Sequence, residues 1–491
     1  MRVHAHFVAI AGTGMGALAG LLKARGWEVT GSDGPIYPPM STALARAGIP
    51  VAEGFDARRV LDRRPDLVVV GNAVRPDNPE ARAALDAGLR VSSFPDALYE
   101  HAIRGRHSVV VAGTHGKTTT TSLLATLLHE TGRDPSFLVG GIPANFDAGF
   151  RDGAGPHFVV EGDEYDTVFF DKTPKFLHYH PRTLLLTSIE FDHADIYRDL
   201  DHVKSAFRAL VERLPKDGTL VAALAGPNVA EVAAAAPCRV VGYGVGEAAD
   251  AAGLAWRARG LEPEGEATRF ELLVDGRPAG VARAPLHGRH NVENAVGALA
   301  VLGALGVAPG EALAALPRFR GVARRMEVRG EAGGVTLVDD FAHHPTAVRE
   351  TLAALRARYP GRRLVAVFEP RSNTSRRKVF QRDYAQVFDA ADRVVVAAPP
   401  DAPVYSAFGE VTERFSAEEL AADLRARGRD AVALDGVPAI VEALVAGRRP
   451  GDVVVTLSNG GFGGIWEKLL ARLREVGGAG PARGAGNPRA R

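Results

Sequence analysis

The feature that most constrains this chain is a rhythm. Short β-branched runs alternate with Ala/Leu/Arg-rich helical runs along nearly its whole length. Such alternation predicts strands buried on both faces with helical crossovers between them, hence an α/β fold of parallel sheets covered by helices. The rhythm restarts twice, so the 491 residues read as three blocks, consistent with about 150 residues per domain. The expected domains are a Rossmann-like block over 1–106, a central α/β block with a mixed-sheet annex over 107–328, and a second Rossmann-like block over 329–476. The tail 477–491 is rich in Gly, Pro and Arg, carries no apolar period, and is expected to be disordered.

Strands are expected at HFVAIAG (6–12), EVTGSD (28–33), DLVVVG (66–71) and RVSSF (90–94) in the first block. In the second they are HSVVVAG (107–113), HFVVEGDE (157–164), RTLLLTS (182–188) and GTLVAAL (218–224). From about 239 the pattern becomes antiparallel, with Asp275-Gly276 as a hairpin turn. The third block offers GVTLVDDF (334–341), RLVAVFEP (363–370), RVVVAAP (393–399) and DVVVTLS (452–458).

Composition narrows the function classes. The 59 basic and 58 acidic residues balance, so no broad basic field marks a nucleic-acid binder. The single cysteine, Cys238, excludes a disulfide scaffold and a zinc site built on Cys, and fits a reducing cytoplasm. The apolar stretch Phe7 to Leu22 is short for a membrane span and holds four glycines. It reads as strand, turn and helix, with no signal peptide and no membrane association expected.

The strongest chemical signal is VVVAGTHGKTTTTSLLATLL (109–128). A strand runs into Gly113-Thr114-His115-Gly116-Lys117-Thr118, and a helix follows from Thr119. The glycines let backbone N–H groups converge on a phosphate, the helix N-terminus adds its dipole, Lys117 reaches the β/γ-phosphates, and the Thr118 hydroxyl suits Mg²⁺. The central block is therefore P-loop ATPase-like, in a compact variant with Val111 where the usual first glycine would stand. Two further strand ends carry acid: FVVEGDEYDTVFF with Glu161, Asp163, Glu164 and Asp166, and LLLTSIEFDHADIY with Glu190, Asp192, His193 and Asp195. Ligands of open α/β sheets sit beyond the carboxyl ends of strands, so these clusters are candidate Mg²⁺ ligands that could converge on one site. In HGRHNVENAVGALAVL (287–302), His290, Asn291 and Asn294 open a helix. Asn suits an adenine edge, although an N-cap beside a satisfied His explains the same residues.

In the first block, Gly12, Gly14 and Ala17 match G-x-G-x-x-A, with Thr13, Met15 and Gly16 in the same turn and Ser32-Asp33 after the second strand. The pattern accommodates a diphosphate over a helix start, whether from NAD or from a UDP-linked sugar. Read alone it supports an NAD-dependent oxidoreductase, and the central loop alone supports an ATPase switch.

Together GTHGKTTT (113–120), VVEGDEYD (159–166), IEFDHAD (189–195), GRHNVENA (288–295), FRGVARRME (319–327) and DDFAHHP (339–345) resemble the ATP-dependent Mur ligases of peptidoglycan metabolism. The resemblance covers nearly the whole chain except the tail. It implies that the first block binds a UDP-sugar through Gly12, Thr13, Gly14, Met15, Gly16, Ser32 and Asp33, and that the central block binds ATP and Mg²⁺. ATP contacts would come from Gly113 to Thr119, His290, Asn294, Asp340 and Phe341. Phe341 stands where an aromatic, often Tyr, is expected near adenine. Thr118, Glu161 and His193 would hold metal, and Lys117, Glu161, His193 and Arg324 would be catalytic, Arg324 neutralising departing charge. The third block would bring the incoming amine, a peptide held by Arg371, Ser458, Asn459 and Gly460.

Two branches of the family fit. One joins UDP-N-acetylmuramate to L-alanine. The other, the murein peptide ligases, joins it to L-alanyl-γ-D-glutamyl-meso-diaminopimelate. The stretches GSDGPIYPPMST (31–42), GNAVRPDNP (71–79), EGDEYDTVFFDKTPKF (161–176), FEPRSNTSRRKVF (368–380) and LSNGGFGGIWEKLL (457–470) resemble the second, and Tyr165 stands where the alanine branch has Ser. Arg208 lies near the place of the carbamylated Lys of several members and Lys204 is out of register, so no carbamylated Lys is expected. The expected partners are thus UDP-N-acetylmuramate and the tripeptide, on a monomer or weak homodimer.

Overall fold

The computed structural model describes residues 2–36 and 40–477; the tail expected to be disordered lies outside them from 478 onward. The chain forms two compact units, residues 1–323 and 324–491. The first strands are β1 (His4–Val8), β2 (Glu28–Asp33), β3 (Val51–Glu53), β4 (Leu67–Val70) and β5 (Val91–Ser93). All pair in parallel, in the order β3-β2-β1-β4-β5. Strand order reverses at β1, and the Gly12 turn opens there into the helix Thr13–Ala24. That is the switch point where doubly wound sheets bind ligands.

The second sheet of the same unit uses β6 (His107–Ala112), β7 (Ser136–Leu138), β8 (Phe150–Arg151), β9 (His157–Gly162), then β12 (Thr183–Leu186), β13 (Thr219–Ala222), β14 (Arg239–Val245), β15 (Trp256–Glu264), β16 (Ala267–Val274) and β17 (Arg277–Ala284). A separate hairpin, β10 (Asp166–Val168) and β11 (Asp171–Pro174), projects after β9. The sheet order is β17-β16-β15-β14-β13-β12-β6-β9-β7-β8. Ala112 at the end of β6 is level with Leu186 of β12 on one side and Gly162 of β9 on the other. This register puts three loop starts side by side. The annex is the antiparallel set β15–β17. Asp275 and Gly276 both have positive φ (48° and 75°), as a two-residue hairpin turn requires. A continuous apolar core runs from Phe7 of the first sheet and Leu18 of the helix after β1 to Val110 and Leu184 of the second sheet and Phe207 of the helix Leu200–Glu212.

In the second unit, β18 (Glu327–Ala332), β19 (Val335–Asp340), β20 (Leu364–Phe368), β21 (Arg393–Ala397), β22 (Asp430–Leu434) and β23 (Val453–Leu457) form the order β18-β19-β23-β20-β21-β22. Only β18 is antiparallel. The α/β class expected from the rhythm is the one observed. Among the described residues, no helix is long and apolar enough to cross a membrane.

At the opposite end of β6 from the loops, His107 pairs with His157 across β6 and β9, their rings 5.7 Å apart. Burial, then His157 and Arg182, depress the His107 pKa to about 4. Because the folded value lies below the ordinary 6.5, the unfolded state binds more protons between the two. Stability should therefore fall as pH drops from about 6.5 to about 4, by roughly 1–2 kcal/mol after allowing for solvent screening. His107→Asn should flatten the acid limb of Tm against pH, and an unchanged limb would remove His107 from the account.

Candidate functional site

The loop after β6 is set between its neighbours by small residues and backbone bonds. Gly113 has φ 138°, and a Cβ there would lie 2.0 Å from Thr187 Oγ1. Thr187 in turn donates to the His115 carbonyl at 2.6 Å. Thr114 N donates to Ser188 O at 2.8 Å and His115 N to Ser188 Oγ at 2.9 Å. His115 Nε2 meets Glu190 at 2.9 Å. The end of β12 thus cinches the loop from one side. Gly113→Ala would strain both the backbone and the Thr187 contact, at about 1–3 kcal/mol for the backbone conformation alone. The expected result is a lower Tm together with lost nucleotide binding in a calorimetric titration; unchanged values would contradict this packing.

Gly116 N-caps the helix Lys117–Glu130 with φ 82°. A Cβ on Gly116 would meet Asn294 Oδ1 at 2.5 Å. Asn294 is buried and donates to Asn291 at 3.3 Å. Its carboxamide lies against the glycine turn of the loop, beside Asn291. His290 lies in the first turn of the helix Arg289–Ala304, half-buried. Thr119 is buried within the helix that follows the loop.

Lys117 is the centre of the site. Its ammonium donates to Gly113 O at 2.7 Å and Thr114 O at 3.2 Å, and pairs with Glu164 at 2.7 Å. Glu164 is only 2% exposed and also meets His193 Nε2 at 3.2 Å. The strand ends of β9 and β12 therefore converge, as the sequence suggested, through a Lys117–Glu164–His193 chain. Burial works against charge on all three. The Lys117 ammonium outweighs it at Glu164, holding that carboxyl below its ordinary range, and Glu164 keeps Lys117 raised. At His193, Asp192 and then Glu164 override burial and lift the imidazole to about 9.

His193 has φ 52°, a left-handed backbone that a non-glycine residue adopts only where its surroundings enforce it. Beside Asp192 and Glu164 the imidazole favours its protonated form, and it would have to lose that proton to ligate metal. Glu161 is set differently. It accepts from the Thr118 hydroxyl at 2.9 Å and from Gly140 N at 2.8 Å. Two hard oxygens side by side at a phosphate loop fit Mg²⁺.

In the first sheet, Gly12 and Thr13 are exposed and Gly14 half-buried at the helix start, whereas Met15 and Gly16 are buried. Met15 belongs to the core, and a Cβ on Gly16 would meet Met40 at 2.3 Å. Asp33 accepts from Ala11 N and Gly34 N, each at 2.7 Å. It tethers the turn through both carboxylate oxygens. Ser32 is fully buried and donates to Glu80. Its side chain faces the protein, in a network of Glu80 with His6 and Arg59.

In the second unit, Arg324 (φ 62°) is stacked between Phe341 and Trp466, 5.4 Å and 5.1 Å from their centroids. It donates to Asp339 at 3.0 Å and Ser458 O at 2.7 Å. Arg325 covers Phe341 at 4.7 Å. Asp340 accepts from Met326 N, Ala342 N and the Thr351 hydroxyl, so its carboxylate orders the chain around it. Ser458 is fully buried, donates to Glu369 and accepts from Gly460 N at 2.9 Å. It shapes the turn and presents no hydroxyl. Asn459 is half-buried, with its Oδ1 lacking a partner. Arg371 lies so close over Gly460 that a Cβ there would meet its guanidinium at 1.5 Å.

Sequence reasoning named Glu164 only as one of a cluster of candidate Mg²⁺ ligands, not as the partner of Lys117, and passed over Gly140, Thr187 and Ser188. Glu164 had a usable signal, its position two residues past the end of β9, a strand that ends beside the loop. The backbone contacts of the other three had none.

The residues compared with known families agree along the chain. Residues 4–106 match the Mur ligase family catalytic domain, 111–302 the Mur ligase middle domain, and 324–460 the Mur ligase glutamate ligase domain. The chain is 41% identical over 474 residues, 96% of its length and 98% of the relative's, to a UDP-N-acetylmuramate–L-alanyl-γ-D-glutamyl-meso-2,6-diaminoheptandioate ligase of Escherichia coli. It is 37% identical, over 96% of its length and 99% of the relative's, to a UDP-N-acetylmuramate–L-alanine ligase of Burkholderia thailandensis. The crystal structure of a murein peptide ligase from Psychrobacter arcticus superposes with a TM-score of 0.74 at 35% identity, covering 96% of this chain and 99% of that one. The chain belongs to the Mur ligase family.

Proposed function

We propose that this protein is an ATP-dependent carboxylate–amine ligase that joins L-alanyl-γ-D-glutamyl-meso-diaminopimelate to UDP-N-acetylmuramate, in the cytoplasmic recycling of peptidoglycan. The observation that carries the reading is the Lys117 loop flanked by two acidic strand ends, in a chain 41% identical to a relative named for this reaction. A carboxylate does not acylate an amine near neutral pH, because oxide is a poor leaving group. An acyl phosphate removes that obstacle. The lactyl carboxylate oxygen attacks the γ-phosphorus, and the bond to the β-phosphate oxygen breaks with its electron pair leaving on ADP. The amine nitrogen then attacks the acyl carbon, phosphate departs with the carbon–oxygen pair, and the nitrogen loses a proton.

Such transfer rests on positioning and charge neutralisation. Lys117 and the backbone N–H groups of the loop hold the β/γ-phosphates, and the cationic His193 faces the same charge. Thr118 and Glu161 would hold Mg²⁺, which supplies further neutralisation of phosphate charge; His193 would join them only after losing its proton. Gly12, Thr13 and Gly14 cradle the UDP diphosphate. The L-alanine ligase reading shares all of this and differs only in the amine. Mixing the protein with ATP, Mg²⁺ and UDP-N-acetylmuramate, and with either the tripeptide or L-alanine, separates the two by product mass. The expected product is the tripeptide adduct. An L-alanine adduct alone would favour the other branch, and ATP turnover indifferent to the UDP-sugar would favour an ATPase switch.

A further inference from the structure

Glu161, Asp163 and Glu164 follow one another at the end of β9, and each has its own partners. Glu161 takes the Thr118 hydroxyl and Gly140 N, and Glu164 takes Lys117 and His193. Asp163 takes a different cation. Its Oδ2 lies 2.7 Å from Lys175 Nζ, and its Oδ1 accepts from Tyr165 N at 3.3 Å.

The hairpin after β9 delivers that ammonium. Asp166 of β10 is level with Pro174 of β11, so the chain returns beside the residues it has just left. Lys175 N donates to Tyr165 O at 3.0 Å, and Phe176 N to Asp163 O at 3.1 Å. Phe176 is fully buried, its ring 5.2 Å from that of Phe207. His178, three residues on, meets Asp96 at 2.7 Å. Lys175 is thus pinned on both sides, and its side chain is only 12% exposed. Its ammonium stands 5.5 Å from the Tyr165 ring centroid, a cation–π distance. The same ring meets His193 edge-on at 5.0 Å, and its hydroxyl donates to Asp195. Lys172, on the same hairpin, makes only an exposed pair with Asp166, of a kind that contributes little.

Lys117, Lys175, Asp163 and Glu164 act as one cluster. Beyond burial, the Lys117 ammonium responds first to Glu164 and next to Asp163, and the Asp163 carboxylate first to Lys175 and next to Lys117. Without Lys175, a bare carboxylate would stand within reach of the loop ammonium. It would compete with an arriving triphosphate for that ammonium and repel its charge.

We propose that Lys175 is a positioning residue for the nucleotide: by engaging Asp163 it keeps that carboxylate from drawing Lys117 away from the phosphates. This rests on the reading of the Lys117 loop as the ATP site, and adds to it a second ammonium supplied by the hairpin.

Lys175→Gln tests it, with the double variant Asp163→Asn/Lys175→Gln beside it. Affinity for ATP with Mg²⁺ would be read by calorimetric titration, and KM for UDP-N-acetylmuramate and for the tripeptide from ligation. Lys175→Gln is expected to weaken ATP binding about 10-fold, as for loss of one charged hydrogen bond, and to leave the two KM values within about twofold. The double variant should regain most of that affinity, because the competing charge is gone; a merely structural role for Lys175 would give no such recovery. Lys172→Gln should leave ATP affinity unaltered. If Lys175→Gln binds ATP normally, or the double variant binds it no better than Lys175→Gln, the role of Lys175 is overturned. If the unaltered protein binds ATP but joins neither amine to UDP-N-acetylmuramate, the ligase reading falls while the titrations still decide Lys175. If the unaltered protein binds no ATP, both fall.

Discussion

Lys117→Met is expected to lower ligation turnover by about 10²–10³-fold while UDP-N-acetylmuramate binds as before. The ammonium is the cation nearest the turn of the phosphate loop, held by Gly113 O, Thr114 O and Glu164. A triphosphate arriving there takes over donors now spent on the two carbonyls, while Glu164 keeps the stem in place. Without the ammonium, phosphate charge would develop beside Glu161, Asp163 and Glu164 with less to offset it, so the loss falls on the transition state. Arg should not restore the activity. A planar fork does not place donors on two carbonyls and a carboxylate around one point as an ammonium does. Single-turnover phosphate transfer, measured beside calorimetric binding of the UDP-sugar, checks this. Near-normal transfer would remove the loop from the chemistry.

What could be read ahead of the structure was whatever periodicity and local spacing control. β2 falls at 28–33 as expected, and the three strands that matter most, β6, β9 and β12, end at Ala112, Gly162 and Leu186, within a few residues of expectation. These are continuous apolar runs whose burial leaves little choice. Most strands that escaped notice are short or at an edge: β3 has three residues, β8 two, and β18 (EVRGEA) and β22 (DAVAL) are the two edge strands of their sheet.

Site residues divide in the same way. Lys117 and Glu161 were legible because strand, loop and helix follow one another in sequence. Whether a polar side chain faces a ligand or its own fold was not legible, because that depends on contacts far along the chain. Ser32 turns to Glu80, 48 residues away, and Ser458 to Glu369, 89 residues away. Asp33 and Asp340 look like free acceptors in sequence, and in the structure backbone amides nearby also donate to them.

Glu164→Gln should be the most damaging substitution for stability at this site, since one carboxylate there answers two cations. At 2% exposure Glu164 meets Lys117 at 2.7 Å and His193 at 3.2 Å. Removing one member of a buried ion pair leaves the other desolvated and uncompensated, at about 3–5 kcal/mol. The amide keeps the shape, so packing is not the cause. The pH dependence identifies the source. His193 has a folded pKa raised to about 9, so its contribution is complete below about 6.5 and is lost as pH rises through about 9. The Glu164 contribution has the opposite sense: its folded pKa is lowered, so it is present above the ordinary carboxyl range and lost in acid. The gap in urea stability between the unaltered protein and Glu164→Gln should therefore be widest near neutrality and narrow toward pH 9 and again in acid. His193 should titrate well below about 9 in the variant, because burial and Lys117 are then opposed by Asp192 without Glu164. Turnover should fall with stability, since Lys117 and His193 then repel each other with no carboxylate between them. If the gap is flat with pH and His193 still titrates near 9, Asp192 alone holds the proton, and the two strand ends are not joined through Glu164.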